Sequence, residues 1–143
     1  MAKQYTANRS VNAIFTAMTR LGIGKSYRHI LTVKGRKTGR TYSTPVDVMT
    51  RDGRMYLVAA YGEVNWVRNI RTSGEATLRR GRKLFAVRAR EPEPSDAVEV
   101  LRQYYEEVPV THAYFDVTAD ADDHEFEIEA KRHPTFEVEP VRS

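Results

Sequence analysis

Six residues, Gly35 to Arg40 (GRKTGR), bring the elements of an anion clamp together in one turn. Two glycines let a chain take tight, positive-φ geometry, and successive backbone N–H groups in such a turn form a nest for anions. Arg36, Lys37 and Arg40 add positive charge, and an arginine can grip phosphate through two parallel hydrogen bonds. Thr38 adds a hydroxyl donor. A solvated basic hairpin is the alternative reading of the same six residues. The spacing is not that of a P-loop, so nucleotide hydrolysis is not indicated.

A second candidate runs from Ala59 to Asn69. Small residues at Ala59, Ala60 and Gly62 allow a flat ring to lie against the backbone, with Trp66 as a cover. A core anchor is the commoner role of a tryptophan. Arg68 and Arg71 face either phosphate or solvent. The four histidines, His29, His112, His124 and His133, show no metal-ligand spacing, and the chain has no cysteine. No metal site and no thiol nucleophile are therefore expected, and no GxSxG elbow is present. Without a redox group of its own, the chain needs an outside cofactor to act as an enzyme.

Charge is divided unevenly along the chain. Residues 1–90 carry 19 Lys and Arg against 4 Asp and Glu, whereas residues 91–143 carry 4 against 15. The basic part can attract a phosphorylated cofactor, a nucleic acid or an anionic membrane surface. With 143 residues, 41% hydrophobic and 29% charged, the chain is expected to form a single domain, residues 1–143, with one core. No secretory signal and no apolar run of membrane-spanning length are seen, so a cytoplasmic protein is expected, with association at a membrane surface left open.

These candidates must be held by regular elements. Val11, Ile14, Phe15 and Met18 share one face of a helix expected over Asn8 to Arg20. Strands are expected over Arg28–Lys34, Thr41–Thr50 and Arg54–Ala60, with Pro45 implying an edge or local bend and Asp52-Gly53 a hairpin. A short helix covers Asn65–Arg71, and two strands follow at Ala76–Arg80 and Lys83–Arg90. Ser95 is expected to cap a helix over Asp96–Glu107, with Pro109 ending it. Val110–Val117 is ambiguous, and Asp122–Arg132 suits a short helix or a strand. Thr135–Val138 alternates as an edge strand does. Short strands joined by tight turns, with little room for crossover helices, indicate an antiparallel barrel.

The run Leu31 to Lys83, from LTVKGRKTGR through STPV, RDG, YLVAA and NWVRN, resembles the deazaflavin-dependent nitroreductase family. The closing phrase EAKRHPTF, Glu129 to Phe136, is similar to one subgroup, and the resemblance covers roughly residues 8 to 138. It implies an α+β fold: an antiparallel split β-barrel of the FMN-binding type with flanking helices. It also implies coenzyme F-420, a deazaflavin with an acidic phosphate-bearing tail, with FMN as the alternative. Arg36, Lys37 and Thr38, with Arg40, would then hold the phosphate. Thr44 and Pro45 would line the side-chain channel. Ala59, Ala60, Tyr61 and Gly62 would lie along the ring, with Trp66 and Asn69 supporting that loop.

The expected reaction is hydride transfer from reduced F-420 to an electron-poor, hydrophobic small molecule: a quinone, an enone or a nitro compound. The accompanying proton comes from water or from a tyrosine, with Tyr61, Tyr104 and Tyr114 as candidates; Tyr61 and Tyr114 are taken as catalytic. Relatives often carry a glycine pair and His-Pro before the tryptophan, where this chain has the shorter YGEVN. The rival readings are an FMN-binding barrel, a cofactor carrier and a basic nucleic-acid-binding barrel. The last is disfavoured by the acidic third of the chain. Small split barrels often pair, so a homodimer stays open.

Overall fold

A computed structural model describes residues 27–141. The helix expected over Asn8 to Arg20 lies outside the described residues. Six strands, β1 (Arg28–Lys34), β2 (Thr41–Arg51), β3 (Arg54–Val58), β4 (Glu75–Arg80), β5 (Lys83–Arg90) and β6 (Thr135–Pro140), close an antiparallel barrel in the order β1-β2-β3-β6-β5-β4. The helices are α1 (Asn65–Ser73), α2 (Pro94–Glu107) and α3 (Asp123–Arg132), with a 3-10 turn at Pro109–Tyr114 between the last two. The α+β split-barrel expectation therefore stands. Among the described residues no helix is long and apolar enough to cross a membrane.

Period-two alternation explains how β2 and β3 serve two cores at once. Leu31, Val33, Val46, Val48, Leu57, Leu78, Val87, Phe136 and Val138 fill the barrel, and Trp66, Val67 and Ile70 of α1 pack with them. The opposite faces of the same strands present Met49, Tyr56 and Val58 to Leu101 and Tyr104 of α2 and Phe126 of α3. Burying such side chains contributes about 1.5–3 kcal/mol each, which drives both layers together.

Three sequence expectations change. Thr135–Val138 is not an edge: β6 pairs with β3 on one side and β5 on the other, and so closes the barrel. Ser95 does not cap α2. The helix begins at Pro94, after Glu93, without a side-chain cap, because a proline at the first helical position lacks the N–H that a cap would satisfy. The third strand stops at Val58, leaving Ala59 and Ala60 in the loop beyond it. Elsewhere the ambiguous segments resolve. Asp122–Arg132 yields a helix whose Asp122 carboxylate accepts the Glu125 N–H at 2.9 Å. Pro45 sits in the part of β2 paired only with β1, since β3 engages β2 from Asp47 onward. The missing proline N–H costs no ladder bond there.

Candidate functional site

A cavity of about 760 Å³ lies against the stretch of β2 that pairs only with β1. That volume lies within the range of small-molecule sites. The hairpin between β1 and β2 forms one end. Its residues Arg36, Lys37 and Thr38 line the cavity, as do Thr44 and Pro45 of β2, Ala60 and Tyr61 after β3, Trp66 and Asn69 of α1, and Tyr114. Ten of the predicted site residues thus converge on one space. Arg40, Ala59 and Gly62 are not part of its lining.

The hairpin is pinned rather than free. The Asn69 Oδ1 accepts both the Arg36 backbone N–H, at 3.1 Å, and the Arg36 Nη1, at 2.8 Å. Asn69 is itself buried. Gly35 is required for a close approach: a Cβ there would lie 2.6 Å from Cε2 of Tyr42 and 3.1 Å from the Arg40 carbonyl oxygen. Gly39 takes the positive φ, 75°. The turn is not, however, the expected nest of open amides. The Gly35, Arg36, Gly39 and Arg40 N–H groups donate to the Arg40 carbonyl, Asn69 Oδ1, the Gly35 carbonyl and Thr38 Oγ1 respectively. Four of the six amides are thus spent in holding the loop, and only the Lys37 and Thr38 N–H groups, beside the side chains, are without an acceptor in the hairpin. Arg36 commits one of its guanidinium donors to Asn69 and keeps others for a ligand.

Away from the hairpin the lining is mostly apolar and aromatic, with the ionisable pair Asp47 and Arg28 set beside Val58. It includes Val58, Ala60, Val110, Tyr61 and Tyr114. The Tyr61 and Tyr114 rings meet edge to face, with centroids 4.8 Å apart. The loop carrying Tyr61 is held from behind. The Ala59 N–H donates to the Pro134 carbonyl at 2.9 Å, and His133 Nδ1 lies 3.2 Å from the Ala59 carbonyl oxygen. At Gly62, with φ 88°, a Cβ would come within 3.3 Å of the Arg132 carbonyl. His133 stacks on Phe115 and its Nε2 lies 3.2 Å from Glu129 Oε2. Glu129 Oε1 in turn accepts from Arg132 Nη1 at 2.7 Å and from the Asp116 N–H at 3.3 Å. Burial lowers the His133 pKa, with the Glu129 charge opposing it.

Sequence reasoning missed Asp47, Arg28 and Tyr42, all in the lining. Asp47 is the notable one. It accepts the Tyr104 hydroxyl at 2.6 Å and lies 3.8 Å from Arg28 Nε. Burial raises its pKa, against the lowering effects of the Tyr104 hydrogen bond and the Arg28 charge. A signal was available in the sequence: Asp47 shares its strand face with Met49, whose apolar side chain marks that face as covered. Tyr104 itself is fully buried and outside the cavity lining, with its hydroxyl committed to Asp47.

The comparisons agree with this architecture. A family model described as F420H(2)-dependent quinone reductase matches residues 6–125. No curated protein matches the chain. Among solved structures, a protein described as a domain-swapped dimer is 18% identical, with 89% of this chain and 92% of that one covered at a TM-score of 0.58. An FAD-binding protein from Mesorhizobium loti is 12% identical over 91% and 90%, at 0.53. A NimC/NimA family protein from Clostridium acetobutylicum is 12% identical over 78% and 72%, at 0.52. At such identities these likenesses establish the shared fold.

Proposed function

Because the chain belongs to the F420H(2)-dependent quinone reductase family and is thus an F-420-dependent oxidoreductase, we propose that its cavity holds the coenzyme by the tail at the hairpin and reduces a quinone-like substrate at the aromatic end. The observation that carries this is one cavity with two chemically distinct ends. Arg36 and Lys37 supply fixed positive charge where a phosphate would lie, and Thr38 a hydroxyl. Thr44, Pro45 and Trp66 bound the middle, where a polyol chain and ring edge fit. Ala60 offers a small side chain against which a flat heterocycle can lie.

When bound, the coenzyme supplies the hydride, and the protein's work is to bind, orient and exclude water. Tyr61 and Tyr114 form the wall facing an aromatic substrate, and their hydroxyls can hydrogen-bond the substrate oxygen. The shape favours planar, electron-poor molecules, with quinones ahead of enones and nitro compounds. Nucleic-acid binding gains no support from this site, which is a cavity with an aromatic end rather than an open groove. A homodimer is the assembly we propose, following the domain-swapped dimer among the fold relatives.

Titration of the purified protein with oxidised F-420, followed by fluorescence, tests this reading against FMN. We expect saturable binding of F-420 and weaker binding of FMN. Equal or preferential binding of FMN would move the protein to the flavin branch.

A further inference from the structure

We propose that Asp47 is the acid that supplies the proton accompanying hydride transfer, with Tyr104 as the residue that positions its carboxyl. This rests on the cofactor placement proposed above. Asp47 lines the cavity and is buried enough to be 14% exposed in its side chain. Along the β1–β2 ladder, pairing runs from Lys34 opposite Thr41, beside the hairpin, to Arg28 opposite Asp47. Those six steps along β2 span roughly 20 Å at about 3.3 Å per residue. An elongated ligand gripped by its charged end at the hairpin and laid along β2 points its other end toward Asp47. Val58, the β3 partner of Asp47, and Ala60, Tyr61 and Tyr114 enclose the same end of the cavity.

The chemistry requires such a group. When a quinone receives a hydride, two electrons and one hydrogen arrive, and the resulting oxygen anion must take a proton to become the hydroquinone. In the proposed step the Asp47 O–H bond breaks as the substrate O–H forms, and the carboxylate left behind recovers its proton from solvent. A carboxyl is a stronger acid than a phenol by about six pK units at their ordinary values. It therefore discharges a hydroquinone anion more readily than Tyr61 or Tyr114 can. What a surface aspartate lacks is a proton to give near neutrality, and burial moves Asp47 in the needed direction. The groups facing it are Arg28 and His29 from β1, Tyr104 from α2 and Tyr27 just before β1. Arg28, His29 and the Tyr104 hydrogen bond restrain the upward shift without reversing it.

The test uses the full chain, reduced F-420 and a water-soluble benzoquinone. Asp47→Asn keeps the shape and the Tyr104 contact but carries no transferable carboxyl proton. We expect it to bind oxidised F-420 as the wild type does and to lose about 10²–10³-fold in kcat. The alkaline fall in the wild-type kcat profile should disappear, and Asp47→Glu should restore part of the rate. Tyr104→Phe removes a hydrogen bond that favours the carboxylate, so the alkaline limb should move to higher pH. Independently of turnover, infrared difference spectra of the cofactor-free protein should show a protonated-carboxyl band that is absent from Asp47→Asn. An Asp47→Asn enzyme with kcat within threefold of wild type, or a Tyr104→Phe limb that stays in place, would overturn the assignment. Loss of F-420 binding by Asp47→Asn would also overturn it, since Asp47 would then serve the cofactor. Failure of wild-type protein to bind F-420 would instead defeat the placement on which the assignment rests.

Discussion

At the hairpin, Arg36, Lys37, Thr38 and Arg40 all lie exposed to solvent. Behind Ala59, the ionisable groups Glu129 and His133 are only 2% and 3% exposed. Both regions concentrate ionisable side chains next to the same cavity, yet they solve opposite problems. Exposed cations keep their hydration and cost the fold little, so they remain available to an anionic ligand. A buried carboxylate needs partners, and Glu129 has Arg132 Nη1, the Asp116 N–H and, at 3.2 Å, His133 Nε2. On the proposed reading, charge at the hairpin is held for the coenzyme, whereas the ionisable groups behind Ala59 fix the loop that carries Tyr61.

That contrast predicts which variants lose stability and which lose affinity. Glu129→Ala should have the largest effect, about 3 kcal/mol of folding stability, because it removes the buried carboxylate that Arg132, the Asp116 N–H and His133 share. Thermal denaturation should show a Tm lower by about 10 °C. Next comes the double change Arg36→Ala with Lys37→Ala. It should leave the Tm nearly unchanged and weaken F-420 binding by about 3 kcal/mol, on the order of 100-fold in Kd. An unaltered Kd would show that the phosphate sits elsewhere. Asn69→Ala joins the two regimes, since Asn69 is buried and yet holds Arg36. A loss of about 1 kcal/mol in stability is expected, together with a modest loss of affinity.

The smallest effect is the dependence on pH. Burial lowers the pKa of both His133 and His29. The unfolded chain therefore binds their protons first, and stability is lost as pH falls below about 6.5 toward the folded values. Asp47, raised by burial, acts in the opposite sense, losing its contribution as pH rises. Chemical denaturation at pH 7 and pH 5 in the Asp47→Asn background should therefore show the histidine trend alone, with lower stability at pH 5.

Much of this arrangement was legible in local patterns. Arg28–Lys34 and Lys83–Arg90 are strands within the boundaries that β-branched alternation and glycine turns imply. The hairpin and the Ala60–Asn69 segment meet at one cavity as their small and basic residues suggested. Closure was not legible, because whether Thr135–Val138 is an edge depends on β3 and β5, far away in sequence. Asp47 was overlooked for a related reason. Met49 marks the face of Asp47 as covered, but the partner that covers it, Tyr104 of α2, lies 57 residues away. The spent Arg36 amide was equally hidden, since Asn69 lies 33 residues from Arg36.

The strand that completes the barrel comes from residues 135–140, although its neighbour β3 ends at Val58. During synthesis, β1 to β5 must therefore wait with the β3 and β5 edges unpaired until β6 has left the ribosome. Exposed edges of that kind are templates for wrong partners, including the same strand from a second nascent copy. A truncation that removes β6 would leave the Ala59 amide without Pro134's ordered neighbour and the barrel without its seal. It should accumulate as aggregate even though every cavity-lining residue is still present.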